Sequence, residues 1–280
     1  MSRPLLIIDC HYLCHRAFHT SGHLKWKGSA TGVVFGFLKA IDTLKERFAT
    51  ERLAFCFEGK DLKRKEIFKD YKLRRTTKTR TPEEQEAYEG MVRQIAALRT
   101  KHLPEIGYRN IFTYPGFESD DIMAALTDDL EDENDQAVLV TGDHDLYQCL
   151  RPNVSVYSPH QLRLVTDRSF RTEYGISPSK WALVKALAGC NSDNVPGIRG
   201  VGEATALRFV QRELPKDCKI YQLIMSEESK ALVRRNRSLV QLPFAGCPTP
   251  KLVSDKVSGA GFMKVCKTLG MSAYGRGARS

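Results

Sequence analysis

Short, almost continuously apolar runs alternate with longer amphipathic segments through roughly the first 165 residues of the chain. The runs predict β-strands at Leu5–Asp9, Leu53–Phe57, Ile111–Tyr114, Ala137–Thr141 and Val154–Tyr157, with a small extra strand at Leu162–Thr166. The longer segments have apolar residues at helical spacing and predict helices over Gly32–Phe48, Pro82–His102 and Asp120–Glu131. This alternation predicts an α/β fold, with a central, mainly parallel sheet flanked by helices.

The second half of the chain has a different pattern, since nearly all of its predicted elements are helical. Ser177 followed by Pro178 is typical of the start of a helix. From Gly246 the chain has no firm periodicity, and its last residues, Gly275–Ser280, are expected to fray. We therefore predict an α/β domain over residues 1–170 and a helical region over residues 171–280.

Composition narrows the possible classes of protein. The chain has 280 residues, of which 42% are hydrophobic and 27% charged, and this excludes a wholly disordered, collagen-like or coiled-coil chain. No stretch approaches the ~18 consecutive apolar residues of a membrane span, and the apolar run ending at Ile8 is too short for a signal-peptide core. The eight cysteines are scattered, so we expect reduced thiols. We also predict a cytoplasmic monomer that binds no membrane. Its location would be the host cytoplasm or nucleoid if the source is viral or bacterial.

The charge of the chain predicts a polyanionic partner such as nucleic acid. Lys and Arg number 43 against 33 Asp and Glu, a net charge of +10. Ten of the basic residues lie in one segment with only three acids, a local charge of +7: Lys60, Lys63, Arg64, Lys65, Lys69, Lys72, Arg74, Arg75, Lys78 and Arg80. This segment follows the second strand and should lie above the carboxyl end of the sheet, where open α/β sheets bind ligands. The alternative is a solvated helix face.

Acidic residues follow four of the predicted strands. They are Asp9 after the first strand, Glu58 after the second, Glu118, Asp120 and Asp121 after the third, and Asp143 and Asp145 after the fourth. Each has a local explanation as well, in a helix N-terminus or a turn. Together they should face one crevice, where their mutual repulsion is costly unless cations neutralise it. Oxygen ligands suit Mg²⁺, and a pair of such ions can promote phosphodiester hydrolysis.

Two further patterns have a chemical and a structural interpretation. Cys and His side chains near the N-terminus include helical i, i+4 spacings that could bind zinc, but no matching second Cys pair follows downstream, which favours a mixed buried and solvated helix: Cys10, His11, Cys14, His15, His19 and His23. The turn Gly197–Gly202 lets backbone N–H groups approach a phosphate at the start of a helix. A dinucleotide-binding loop is excluded there, because Ser192–Pro196 does not predict a strand.

Seven ordered motifs resemble those of the flap endonuclease and 5′-to-3′ exonuclease family, especially the bacterial and bacteriophage 5′ nucleases related to the N-terminal domain of DNA polymerase I. The motifs are IIDCHYLCHRAFH (Ile7–His19), TGVVFGFL (Thr31–Leu38), FEGK (Phe57–Lys60), KRKEIFKDYKLRR (Lys63–Arg75), GFESDD (Gly116–Asp121), TGDHDLYQ (Thr141–Gln148) and LAGCNSDNVPGIRGVG (Leu187–Gly202). The resemblance implies a PIN-like fold and a hydrolase active in DNA replication and repair. Its substrates would be phosphodiesters near 5′ ends, 5′ flaps or nicks in DNA, and also RNA paired with DNA.

The resemblance also implies a two-ion site for Mg²⁺ or Mn²⁺. Asp9, Glu58, Glu118 and Asp120 would hold the first ion, Asp121 would lie between or near both, and Asp143, Asp145 and Asp193 would hold the second. The basic segment, at about residues 60–100, resembles the family's helical arch or clamp, in which Lys72, Arg75 and Arg64 match positions near the scissile phosphate.

The remaining implied contacts are with DNA. In the arch they involve Lys63, Lys65, Lys69, Arg74, Lys78 and Arg80, with Tyr71 stacking on a base. A helix-hairpin-helix-like turn at about residues 189–210 resembles the family's helix-three-turn-helix element, which grips a duplex and commonly holds K⁺. Its contacts would come from Gly197, Arg199, Gly200 and Gly202.

Three positions depart from the family pattern. Glu58 replaces an aspartate, Cys10 replaces a glycine, and Cys190 stands where a carboxylate pair usually begins, which predicts a weakened second metal site. Cys190 is a poor ligand for Mg²⁺ and a possible one for Zn²⁺ or Mn²⁺; the alternative is a neutral thiol. A 5′ nuclease is the leading hypothesis, and a DNA-junction binding protein with reduced catalysis and an RNA-directed nuclease are the alternatives.

Overall fold

The computed structural model describes residues 3–76, 79–128, 130, 135–271 and 274. The strands are β1 (Leu5–Asp9), β2 (Lys25–Trp26), β3 (Ser29–Ala30), β4 (Leu53–Cys56), β5 (Ile111–Phe112), β6 (Ala137–Val140), β7 (Val154–Ser158), β8 (Arg163–Val165), β9 (Gly189–Cys190) and β10 (Val195–Pro196). The helices are α1 (Cys10–Ser21), α2 (Gly32–Phe48), α3 (Arg64–Ile67), α4 (Leu73–Thr76), α5 (Pro82–Ala97), α6 (Leu103–Ile106), α7 (Ser119–Asp128), α8 (Asp167–Tyr174), α9 (Trp181–Ala188), α10 (Glu203–Gln211), α11 (Lys219–Met225), α12 (Glu227–Val240) and α13 (Gly259–Thr268).

Six strands of the described chain form the central sheet, in the order β5-β4-β1-β6-β7-β8. All neighbours are parallel except β8, which runs antiparallel to β7. The strands are apolar because both faces of the sheet are covered. Along β1, Leu6 and Ile8 pack with α1, α2 and α5, whereas Leu5 and Ile7 pack with α7 and α9. The predicted mainly parallel sheet flanked by helices is therefore present.

The observed elements differ from the predicted ones chiefly at their ends. Helix α2 has the predicted bounds, but the predicted helix Pro82–His102 is α5 followed by a single π-turn, Leu98–His102, that leads into α6. Thr166, predicted at the end of a strand, caps the N-terminus of α8 instead, because its hydroxyl accepts a hydrogen bond from the N–H of Ser169. Glu131, the predicted end of α7, lies outside the described residues.

Helix α13 was not predicted, and it packs against the N-terminal half of the molecule. The N–H of Lys256 donates to the carbonyl of Gly107 at 2.8 Å, and the N–H of Ser258 donates to that of Ile106 at 3.0 Å. Val265 and Cys266 are fully buried in the same apolar layer as α1 and α2. Helix α13, which belongs to the predicted helical region, therefore packs against the predicted α/β domain. The predicted fraying of Gly275–Ser280 concerns residues outside the described part of the chain.

Among the helices of the described ranges, none combines the length and the apolar character that crossing a bilayer requires.

Candidate active site

The carboxyl ends of β1 and β6 place Asp9 and Asp143 beside each other. Asp9 caps helix α1, since its Oδ1 accepts the N–H of Tyr12 at 3.0 Å. Its Oδ2 accepts the hydroxyl of Thr141 at 3.0 Å, and the same hydroxyl oxygen accepts the N–H of Asp143 at 3.1 Å. Thr141 thus links the two acids, a role that the sequence did not reveal. Cys10 begins α1 directly, and no glycine is needed there.

Asp9, Asp120 and Asp143 repel one another. Burial, with added repulsion from Asp143 and Glu58, raises the pKa of Asp9 to about 6. Burial and the charges of Asp143 and Asp9 raise the pKa of Asp120 well above its ordinary range. Oδ1 of Asp120 is a buried atom with no hydrogen-bond partner. An unneutralised buried oxygen among like charges is the environment that a bound cation would stabilise.

Glu118 is held by three side chains of the basic segment. Its Oε2 accepts the hydroxyl of Tyr71 at 2.8 Å and lies 3.1 Å from Nη1 of Arg64, while Oε1 pairs with Nζ of Lys72. Burial alone would raise the pKa of Glu118, but Lys72 and Arg64 outweigh it and the pKa is lowered. Nζ of Lys72 is also 3.9 Å from Oε1 of Glu58. The ammonium of Lys72 therefore lies between the acids that follow two strands.

The acids described so far, Asp9, Glu58, Glu118, Asp120 and Asp143, form the first cluster. A second cluster lies beside it and contains Asp145, Cys190 and Asp193. One potential ligand atom of each side chain lies within 4.8 Å of the others. Nζ of Lys185 is 3.0 Å from Oδ1 of Asp145. Burial and repulsion from Asp143 raise the pKa of Asp145 to about 6 despite this lysine.

The two clusters share one small cavity. Its walls include four of the predicted metal ligands together with Arg64 and Tyr71: Glu118, Asp120, Asp145 and Asp193. Asp9, Glu58 and Asp143 also lie close by, since Asp9 and Asp143 repel Asp120 and Glu58 repels Asp9. The structure thus brings seven of the eight predicted acids together.

Asp121 pairs with Arg64 and is not among the residues that line the cavity, whereas Arg64 and Tyr71 are. Both carboxylate oxygens of Asp121 accept hydrogen bonds from Arg64, and the side chain is 0% exposed. Arg64 and Tyr71 are only 2% and 3% exposed. In this structure the guanidinium of Arg64 is engaged by Asp121 and Glu118, and the hydroxyl of Tyr71 donates to Glu118. These contacts give Asp121, Arg64 and Tyr71 a part in positioning Glu118, and their predicted roles towards metal ions and DNA stay predictions.

The other basic residues of this segment lie at the surface. Lys63, Lys65, Lys69 and Arg74 are exposed, and Arg80 is half-buried over the ring of Tyr88. Lys78 and the side chain of Arg75 lie outside the described part of the chain. The segment is fixed at its base, where the N–H of Lys72 donates to the carbonyl of Asp193 at 2.9 Å. The exposed cations therefore stand beside the acidic clusters.

The glycine-rich turn joins α9 to α10 and presents backbone to solvent. Ile198 and Val201 are each 4% exposed and anchor the turn in the core. Between and after them, Arg199, Gly200 and Gly202 are exposed. Gly200 has a φ of +80°, a conformation that favours glycine. This arrangement fits a surface that contacts phosphates through N–H groups and one arginine.

The N-terminal Cys and His residues do not come together as a zinc site. Cys10 and Cys14 are buried in the core, and burial raises the pKa of both thiols. His15, His19 and His23 are exposed instead. Among the described residues, the ligand atoms of Asp145, Cys190 and Asp193 lie close enough together to hold a metal ion. No set of three that includes these histidines does so. The zinc interpretation of the N-terminal residues is not supported.

Comparisons with known proteins give the family. A family model described as the 5′-3′ exonuclease, N-terminal resolvase-like domain, matches residues 4–175. The 5′-3′ exonuclease of Bacillus subtilis is 34% identical over 220 residues, which cover 75% of this chain and 70% of the relative. The thermostable DNA polymerase I of Thermus filiformis is 32% identical over 209 residues, or 74% of this chain. These residues are 24% of the polymerase, so the chain spans about a quarter of that relative's length.

A solved structure of the bacteriophage T5 flap endonuclease, in a pseudo-enzyme–product complex with DNA and metal ions, has the same fold. It matches with a TM-score of 0.72 and 20% identity, covering 99% of this chain and 98% of that chain. The likeness confirms the predicted fold class, and the family model confirms the resemblance seen in the motifs. The chain belongs to the 5′-3′ exonuclease family, a family of phosphodiester hydrolases.

Proposed function

We propose that the chain is a divalent-metal-dependent 5′ nuclease that hydrolyses DNA near 5′ ends, 5′ flaps or nicks. One observation carries this proposal: seven carboxylates from distant parts of the sequence meet at the edge of the sheet, with a buried, unpartnered oxygen on Asp120. Family membership supports the hydrolytic chemistry. RNA paired with DNA is a further proposed substrate, and K⁺ at the glycine turn remains a prediction.

The donor set fits hard divalent cations at the first cluster. Carboxylate oxygens are the ligands that Mg²⁺ and Mn²⁺ prefer, and Asp9, Asp120 and Asp143 carry the charge that such an ion would neutralise. When bound, the ions would supply Lewis-acid stabilisation of the charge that develops on a phosphodiester during hydrolysis. We assign Asp9, Glu58, Glu118 and Asp120 to this binding, and Asp145 and Asp193 to the second cluster. Asp143, for which the resemblance implied the second ion, is assigned to the first because Thr141 links it to Asp9.

The basic residues of the chain bind and orient the DNA. Exposed cations of the basic segment attract the phosphate backbone towards the clusters. The ammonium of Lys72 pairs with Glu118, and it can contact a phosphate once a metal ion neutralises Glu118. The turn around Arg199, which directly precedes α10, contacts the duplex. These contacts are independent of base sequence, so substrate choice follows DNA structure.

The test is cleavage of 5′-flap DNA with Mg²⁺, mapped with label at the flap end. We expect Asp120→Asn and Asp143→Asn each to reduce the rate by about 100-fold or more, equal to about 2.7 kcal/mol of transition-state stabilisation. Asp217→Asn is the matched control, because Asp217 is an exposed acid that belongs to neither cluster. Unchanged cleavage in both cluster variants would contradict the proposal. Tight flap binding without turnover in Mg²⁺ or Mn²⁺ would favour the junction-binding alternative.

A further inference from the structure

The second cluster contains a sulfur atom, and its chemistry therefore differs from that of the first. Asp145, Cys190 and Asp193 each offer one ligand atom within 4.8 Å of the others. Elsewhere in the described ranges, no three His, Cys, Asp or Glu side chains meet this spacing. The first cluster offers oxygen atoms alone, whereas this set offers two carboxylates and one thiol.

Local structure holds the three side chains in place. Cys190 is in β9, which pairs antiparallel with β10 through the Cys190–Val195 register, and Asp193 lies in the short 3₁₀ turn between the two strands. Asn194 closes this turn with a φ of +61°. On the facing element, the N–H of Asp145 donates to Oδ1 of Asp143 at 2.8 Å. The set is thus largely pre-formed, which reduces the cost of ordering ligands around an ion.

The buried Asp120 oxygen that supports the first ion also borders the second cluster, so the cavity shared by the two clusters can accommodate a cation. Asp120 Oδ1 is buried and has no hydrogen-bond partner, and Asp120 lines the same cavity as Asp145 and Asp193. A buried oxygen of this kind is costly unless it meets a positive group. Lys185 pairs with Asp145, with Nζ 3.0 Å from Oδ1.

We propose that Cys190 is a thiolate ligand and that the second cluster prefers a thiophilic divalent ion such as Zn²⁺ or Cd²⁺ over Mg²⁺. This inference rests on the proposed function for the presence of an ion in the cavity and adds its chemical identity. Mg²⁺ is a hard ion that takes oxygen ligands, whereas thiolates select softer ions. Three protein ligands that leave a position open are typical of zinc sites with a catalytic role. The two clusters then differ in metal preference.

The test uses Cd²⁺ as the probe, because a Cd²⁺–thiolate bond absorbs in the ultraviolet by charge transfer whether or not the protein cleaves DNA. Metal-free protein would be titrated with Cd²⁺ as wild type, Cys190→Ser and Cys218→Ser. Cys218 caps helix α11 through its sulfur, a role that serine can take over, so Cys218→Ser is the matched control. We expect one equivalent of charge-transfer absorption in the wild type and the control, and its loss in Cys190→Ser.

Competition with Mg²⁺ tests the preference itself. Changes to groups that only support a ligand cost about 10–100-fold in metal affinity, so replacing the sulfur ligand should lower the Cd²⁺ preference over Mg²⁺ by about 100-fold. The variant for this measurement is Cys190→Asp, which keeps a ligand and restores oxygen. A Cys190→Ser protein that keeps the absorption, or a Cys190→Asp protein with an unchanged preference, would overturn the inference.

The outcome is distinguishable from failure of the proposed function. Absorption that depends on Cys190 in a protein that cleaves no DNA would support the thiolate ligand and contradict the nuclease assignment. Efficient Mg²⁺-dependent cleavage without any Cys190-dependent Cd²⁺ absorption would do the reverse.

Discussion

Arg64 and Asp121 form a bidentate ion pair that is almost completely buried. Nη1 donates to Oδ2 at 2.5 Å and Nη2 donates to Oδ1 at 2.7 Å. Nε of Arg64 also donates to the carbonyl of Leu239 at 2.7 Å. Asp121 accepts the N–H groups of Glu118 and Phe244 at 3.0 and 2.8 Å. The pair thus joins the basic segment, the start of α7 and the end of α12, and it positions Glu118.

Removing one member of this pair should destabilise the fold. We expect Arg64→Gln to lower the free energy of unfolding by about 3–5 kcal/mol, because it leaves a buried carboxylate without its counter-ion. Arg171→Gln is the control, since Arg171 is 52% exposed in its pair with Asp167 and its loss should change stability little. Urea unfolding followed by circular dichroism measures both. Equal stability losses in the two variants would contradict the structural role of Arg64.

Lys72 should compete with metal for Glu118. We expect Lys72→Met to bind Mn²⁺ about tenfold more tightly in the absence of DNA, equal to about 1.4 kcal/mol, because the ammonium no longer pairs with the carboxylate. The same variant should cleave DNA more slowly, because a cation is lost beside the phosphate. Isothermal titration with Mn²⁺ and single-turnover cleavage separate the two effects, with Lys65→Met as an exposed control. Weaker Mn²⁺ binding by Lys72→Met would be evidence against this competition.

The metal-free protein should lose stability as the pH rises through about 6. The pKa of Asp9 is raised from 3.8 to about 6 by burial and by repulsion from Asp143 and Glu58. The folded protein therefore binds more protons than the unfolded chain between these values, and this stabilisation is fully present below pH 3.8 and lost as the pH rises through about 6. His11 acts in the opposite direction, since burial lowers its pKa to about 4.

Comparing Asp143→Asn with the wild type isolates the carboxylates, because His11 is common to both. We expect the variant to have a Tm about 2–4 °C higher at pH 7.5 in chelator, which corresponds to about 1 kcal/mol. At pH 5 the gain should be smaller, and Mn²⁺ should reverse it by stabilising only the wild type strongly. Thermal unfolding at the two pH values measures this, and a gain that does not depend on pH would be inconsistent with repulsion.

Arg199 should contribute one phosphate contact to duplex binding. We expect Arg199→Ala to weaken binding to duplex DNA and to reduce the salt slope, the change of log K with log salt concentration, by about 1. Binding to single strands should change less. Arg168→Ala is the control, since Arg168 is an exposed arginine on α8 outside the turn. Fluorescence anisotropy at several salt concentrations measures the slope, and equal slopes for both variants would argue against a contact at the turn.

The sequence predicted the elements whose burial is regular and the acids that end strands. Leu5–Asp9 and Gly32–Phe48 were predicted with their observed bounds, because a strand covered on both faces and a long amphipathic helix leave periodic patterns. Asp9 and Asp143 could be placed together because adjacent parallel strands end at one edge.

The sequence did not predict which charged residues are buried. Arg64 lies in a run of lysines and arginines, and its burial depends on Asp121, 57 positions away, and on Leu239, 175 positions away. A charge count treats every member of that run alike. Helix α13 was missed for a related reason, since its glycines weaken the helical pattern and packing against α6 stabilises it.

Helix α13 bears on when this chain can fold during its synthesis. Val265 and Cys266 cover the same apolar layer that supports β1, the strand that ends in Asp9. A nascent chain that has not yet been extended beyond residue 259 therefore leaves part of that layer exposed to water. Complete packing of the layer behind β1 therefore waits until α13 has been synthesised.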